Sequence, residues 1–201
     1  MIHNTELFTT EEQSYLLIHK NACSSIRANL YQEFGDELKF RVEGPGVRWT
    51  VVRDPYARFV DAISYDIRVQ EVPILWEEKE VLQYIKGINI AKYLANHVAH
   101  ACAGRGHAPH SVLQTIYLFD NNIDIIVYAE DLKHFIPIHF KDPVPPQNMG
   151  VAPHQDIVRK ALDSDIELKN RILDLLRVDY ITLEHFKTQG QVWSWGGGKI
   201  W

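Results

Sequence analysis

Cysteine is scarce in this chain: Cys23 and Cys102 are its only two in 201 residues. That excludes a disulfide framework and suits a reducing compartment or free buried thiols. No apolar run approaches the ~20 residues of a membrane-spanning helix. The first residues, MIHNTELFTTEE, lack the basic-then-apolar order of a signal peptide. The expectation is a chain with no membrane contact that works in the cytoplasm. Excess positive charge is missing as well: the formal net charge is −5, so general nucleic-acid binding has no electrostatic basis, and any polyanion site must be a local patch. There is no Gly-x-x-x-x-Gly-Lys-Ser/Thr string, which argues against a nucleotide kinase. No internal repeat is visible.

What is present reads as alternating strands and helices. With 46% hydrophobic and 23% charged residues the chain has an ordinary globular composition. One domain over residues 1–201 is expected, with its core at about 15–186 and an aromatic, glycine-rich tail at 190–201. Tyr15–Ile18 is a short apolar strand, and Ile26, Leu30 and Phe34 then mark one helical face that stops at Gly35. Between them lies a turn, His19 to Ser25. Its last two residues are hydroxyls suited to cap the helix, so the unpaired N–H groups of the helix start would converge beside Lys20 and attract an anion.

Further along, Leu38–Val42 reads as a strand, and Gly44-Pro45-Gly46 as a turn. Arg48–Arg53 is a β-branched and aromatic core strand, and Asp54-Pro55 should start a helix at once, because Asp accepts from orphan N–H groups and Pro fits the first helical position. This is a second strand-to-helix junction. A helical region follows over Glu77–Val98, broken near Gly87. After a Gly- and His-rich loop, Ala101–His110, come a helical stretch Val112–Phe119 and the strand Ile123–Tyr128. Lys141–Pro153 is too rich in proline for a regular element, and Asp163–Phe186 reads as one long amphipathic helix. This order predicts an α/β fold: a mostly parallel sheet between helices, with ligands at the carboxyl ends of its strands.

IHKNACSSIR together with TVVRDPYARFVDAISY resembles the paired nucleotide-binding signatures of sulfotransferases that use 3′-phosphoadenosine 5′-phosphosulfate (PAPS), in particular the carbohydrate (Golgi-type) family. Four further pieces follow in the family's order. They are His110 with Gln114, IDIIVYAEDLKHF with its Glu-x-Leu, the loop VPPQNMG, and LLRVDYITLEHF with its Asp-Tyr pair. The resemblance implies a P-loop-like three-layer fold and transfer of a sulfuryl group from PAPS to a hydroxyl acceptor, a sugar in the family. No metal is required.

Such a transfer is an in-line displacement in which the catalyst positions the reactants and stabilises the leaving phosphate. The first junction would cradle the 5′-phosphosulfate with the backbone N–H groups of Asn21, Ala22, Cys23, Ser24 and Ser25, the two serine hydroxyls and the ammonium of Lys20. By resemblance, Lys20 stands near the bridging oxygen as the catalytic cation, and Arg53 grips the 3′-phosphate, a task suited to a bidentate guanidinium. The chain departs from the family at Asp61, where a serine usually serves as second ligand of that phosphate. A carboxylate there would repel it, and Ser64, on the same helix face, is the substitute. His19 replaces the usual proline before the lysine. For the general base the first choice is His110, which matches the family's His segment; Glu43 and Glu37 are second choices.

Other features carry bland readings beside sharp ones. Four histidines and Cys102 crowd residues 97–110, but their spacings match no common metal signature. Cys23 at a helix start could be an activated thiol, yet packing explains it as well. The tail QVWSWGGGKIW could fold over the nucleotide, offer aromatic faces to a sugar, or simply pack. Beside the sulfotransferase stand two other classes: a non-catalytic nucleotide- or carbohydrate-binding module on the same fold, favoured if Asp61 occupies the phosphate site, and a kinase-like phosphotransferase. Oligomeric state and acceptor are not encoded in any motif.

Overall fold

The computed structural model describes residues 6–18, 21–40, 44, 46–69, 77–95, 113–145 and 154–193. It is an α/β protein whose chain gathers into two compact units. The first, the sheet unit, comprises residues 1–53, 114–149 and 181–201; the second, the helical unit, comprises residues 54–113 and 150–180.

Six strands make the sheet: β1 (Glu6–Thr9), β2 (Gln13–Leu17), β3 (Lys39–Phe40), β4 (Val47–Val52), β5 (Ile125–Tyr128) and β6 (Val192–Trp193), in the spatial order β3-β1-β2-β4-β5-β6. Its centre is parallel, with Tyr15 opposite Trp49, Trp49 opposite Ile125 and Ile126 opposite Val192. The sheet as a whole is mixed, because β1 runs antiparallel to both β2 and β3, pairing Thr9 with Ser14 and Phe8 with Phe40. The expectation of a mostly parallel sheet therefore holds for the core and fails at one edge. The physical reason is the tight Thr10–Gln13 connection: Thr10 Oγ1 accepts from Gln13 N at 3.1 Å and folds ELFT back on QSYLL as a hairpin. A strand of four residues with one buried apolar position, Phe8, leaves little trace in sequence.

Alternation explains the packing of this unit. Tyr15, Leu17, Trp49, Val51, Ile125 and Val127 share one face. They form a core with Ile26 and Leu30 of α1 (Cys23–Phe34) and with Leu132, Phe135 and Ile136 of α6 (Leu132–His139). Leu16, Ile18, Thr50, Val52 and Ile126 point the other way and are buried too, so neither face is left to water. Gly46 enters β4 at φ +94°, and a Cβ there would lie 1.8 Å from Glu12 O, so only glycine fits that turn.

The helical unit is built from α2 (Pro55–Val69), α3 (Glu78–Gly87), α4 (Ile90–Ala95), α7 (Gln155–Ser164) and the first part of α8 (Ile166–Thr188). Phe59, Ile63, Val81, Ile85, Leu162 and Ile172 lie in its core. The break expected near Gly87 separates α3 from α4. The long helix expected over Asp163–Phe186 is present as α8, and it is preceded by the separate, unexpected α7; Asp165 divides the two, its Oδ1 accepting from Leu168 N at 3.0 Å, the signature of a helix N-cap. The helix α5 (Gln114–Asp120) returns the chain to the sheet unit, and its Thr115 bonds Thr182 of the later part of α8 at 3.0 Å. Among the described residues no helix is long and apolar enough to cross a membrane.

Candidate functional site

The two strand-to-helix junctions leave neighbouring parallel strands. The first follows β2 and opens α1; the second follows β4 and ends at Arg53, the last residue of the sheet unit on that pass. The start of α1 differs from its expected form. Ala22 is the N-cap, in the left-handed region at φ 57°, ψ 28°, and no side chain caps the helix. Ser24 and Ser25 sit inside the first turn rather than before it, and Ser25 N bonds Ala22 O at 3.0 Å. A left-handed residue ahead of a helix start turns successive N–H groups toward one side, the concave arrangement that suits an anion. Cys23 is partly buried within this turn, as a packing residue would be.

A buried network joins the junctions. Asn21, 1% exposed, donates from Nδ2 to Val51 O of β4 at 2.9 Å and to Gln114 Oε1 at 2.7 Å. Gln114, fully buried, accepts from Arg53 N at 3.0 Å and donates to Arg53 O at 2.8 Å. One carboxamide thus reads both backbone groups of Arg53 as a β-strand neighbour would and anchors Asn21 besides. The other oxygen of the pair, Asn21 Oδ1, is buried and takes no hydrogen bond from the described residues. Asn29 repeats the device further along α1. It donates to Val144 O at 3.1 Å and accepts from Val144 N at 2.8 Å, while its Nδ2 also bonds Ser25 O at 2.8 Å. Val144, where the motif VPPQNMG begins, is so fixed to the helix that opens at the first junction.

Three segments quoted for the resemblance therefore meet within one unit: the turn holding Asn21, the strand end at Arg53 and the segment holding Gln114. Lys20, His110 and Glu43 lie outside the described residues, as does the His-rich stretch at 97–110. Among the described residues no cluster of His, Cys, Asp and Glu could hold a metal. Glu37 sits exposed in a short 3-10 turn before β3. Trp193 is buried on Phe135, ring centroids 5.2 Å apart, so this part of the tail packs as a strand; Trp195 and Trp201 lie outside the described residues.

Asp61 and Ser64 belong to the helical unit. Asp61 is 8% exposed and its Oδ1 accepts from Gln155 Nε2. The Ser64 hydroxyl is fully buried and donates to Val60 O at 2.7 Å, a back-bond to its own helix that commits its one proton. At the head of α2, Asp54 caps as expected: its Oδ1 accepts from Ala57 N at 2.7 Å. Tyr180 donates to Asp54 Oδ2 at 3.1 Å, and burial together with that carboxylate pushes the phenol up to about 12.

One more titratable group stands in the sheet unit. His139 lies against the rings of Phe135, Trp49, Tyr15 and Phe140, and its Nε2 is 2.8 Å from Tyr15 Oη. Burial lowers it to about 4, so the imidazole is neutral at pH 7, and burial pushes the Tyr15 hydroxyl above its ordinary range.

Sequence reasoning quoted Gln114 without giving it a role and passed over Asn29. The signal was there: each is a carboxamide on the inward face of an apolar helical stretch, where side-chain amides are disfavoured unless their hydrogen bonds are met. No protein-family model matches the chain, and no curated protein or solved structure matches it either.

Proposed function

We propose that this protein transfers a sulfuryl group from PAPS to a hydroxyl acceptor, a sugar by the resemblance of its motifs. The observation that carries the reading is the Gln114 network. It ties the two junctions that the motifs mark as phosphate-binding to each other at the carboxyl ends of adjacent parallel strands, where α/β folds take their ligands. The left-handed Ala22 adds an anion-facing turn at the first of them.

In this reading the acceptor oxygen attacks sulfur, the bond from sulfur to the bridging phosphate oxygen breaks, and its electron pair leaves with 3′-phosphoadenosine 5′-phosphate (PAP). Lys20 and the N–H groups of Ala22, Cys23 and Ser24 stabilise the charge that develops there, since the expected donors Asn21 N and Ser25 N are taken by Ile18 O and Ala22 O; losing one such donor commonly costs ~10²–10³ in rate. The acceptor's proton passes to His110, or to Glu43 or Glu37. Arg53 holds the 3′-phosphate. The P-loop-like topology is part of the same proposal.

A second reading, a nucleotide- or carbohydrate-binding module without turnover, is favoured by Asp61 and Ser64. The position of the second 3′-phosphate ligand holds a carboxylate bonded to Gln155, and the substitute hydroxyl has its proton committed to Val60. Calorimetry of PAP beside adenosine 5′-phosphate separates the two. Wild type should prefer PAP, Arg53→Ala should erase the preference, and Lys20→Ala should weaken both ligands. With that preference in place, sulfate transfer from PAPS to a panel of sugars distinguishes enzyme from module. If wild type shows no preference and Asp61→Ser creates one, the site is degenerate and transferase activity is ruled out.

A further inference from the structure

The chain leaves the sheet unit after Arg53 and re-enters it at Gln114, and these two residues are bonded to each other at both backbone groups of Arg53. We infer that Gln114 is a positioning residue: it sets the spacing between the first junction, through Asn21, and the second, through Arg53, so that recognition of the two phosphates of one nucleotide is coupled. The inference rests on the proposed function and adds to it a residue that touches no ligand.

Three features support it. The bonds are specific to a carboxamide, since one oxygen accepts from Asn21 Nδ2 and Arg53 N while the nitrogen donates to Arg53 O. The group is fully buried, so no water competes for these partners. Its side chain also bonds both junctions, whereas Asn29 bonds α1 and Val144. A side chain that only filled space would need neither polarity.

Gln114→Glu tests this without removing volume. As a neutral acid, glutamate accepts from Asn21 and Arg53 N and donates its O–H to Arg53 O; as a carboxylate it keeps the acceptors and repels that carbonyl. Calorimetry with PAP and with adenosine 5′-phosphate should show the preference of Gln114→Glu for PAP falling by about tenfold at about pH 8, the loss of one charge-sensitive buried bond, and recovering toward wild type at about pH 5.5. Gln114→Leu should lose the preference at both pH values and make Arg53→Ala silent. Thr115→Val, one residue away, should leave it unchanged. If wild type prefers PAP and the folded Gln114→Glu protein keeps that preference within twofold at both pH values, the positioning role is wrong and the functional reading survives. If wild type has no preference for PAP, the functional reading falls and takes this role with it.

Discussion

In the sheet unit the buried carboxamides of Asn21, Asn29 and Gln114 bind main chain: Val51, Val144 and Arg53. In the helical unit the buried carboxamide of Gln155 binds a side chain instead, donating to Asp61, as Tyr93 donates to Asp66 at 2.6 Å. The first pattern fixes the course of irregular backbone just beyond strand ends, where ladder hydrogen bonds have run out and N–H and C=O groups still need partners. The second fixes the spacing of helices whose backbone is already satisfied. A unit that holds loops in one conformation needs the first kind; a helical pack with an apolar core needs few of either.

Truncating the two cores gives the largest effects expected. Leu30→Ala in the sheet unit and Phe59→Ala in the helical unit each remove a side chain at most 2% exposed. Each should destabilise by about 3–5 kcal/mol in urea denaturation. On the proposed function the units differ in whether binding follows: with both variants kept folded at low temperature, Leu30→Ala should weaken PAP binding, because α1 carries the proposed first junction.

Acid should separate the units next. His139 is held at about 4 against an ordinary 6.5, so between these values the unfolded chain binds a proton that the folded chain refuses. Stability contributed by this group is therefore complete above about pH 6.5 and is lost as pH falls through about 4, in total about 3 kcal/mol. Urea midpoints measured from pH 7 to pH 4 should show the fall, and His139→Phe should flatten it; an unchanged slope in that variant would sink the assignment.

The smallest effect belongs to the helical unit's polar pair. Gln155→Leu removes the donor to Asp61 and should cost about 1–2 kcal/mol by thermal melting, without altering the junctions of the sheet unit. A larger loss of PAP affinity than of stability in this variant would place Asp61 at the ligand and favour the non-catalytic reading.

Much of the framework is legible along the chain. The runs around Tyr15–Ile18, Arg48–Arg53 and Ile123–Tyr128 announce the central strands, and Asp54-Pro55 announces α2 with its cap, because apolar alternation and capping chemistry are local. Of the expected Leu38–Val42 strand, Lys39–Phe40 form β3, an exposed pair whose partner lies in β1, and Arg41 and Val42 lie outside the described residues. Less legible were β1 and β6, four and two residues long, whose existence depends on a neighbouring strand to pair with. Of the candidate site, Asn21 to Ser25 and Arg53 were marked by motif, but the cap was misplaced. Ser24 and Ser25 have capping chemistry, yet the turn closes at Ala22 by backbone conformation alone.

By itself, then, the sequence determined the α/β alternation, the two strand-to-helix junctions and the residue types gathered at them, since each of these is a property of neighbours in the chain. Only the tertiary structure decided that the sheet is mixed, that Trp193 closes an edge, and that Gln114 joins Asn21 to Arg53 across 93 and 61 residues of sequence. A carboxamide's partners are chosen by which backbone groups the fold leaves unpaired beside it, and that choice is made between segments, not within one.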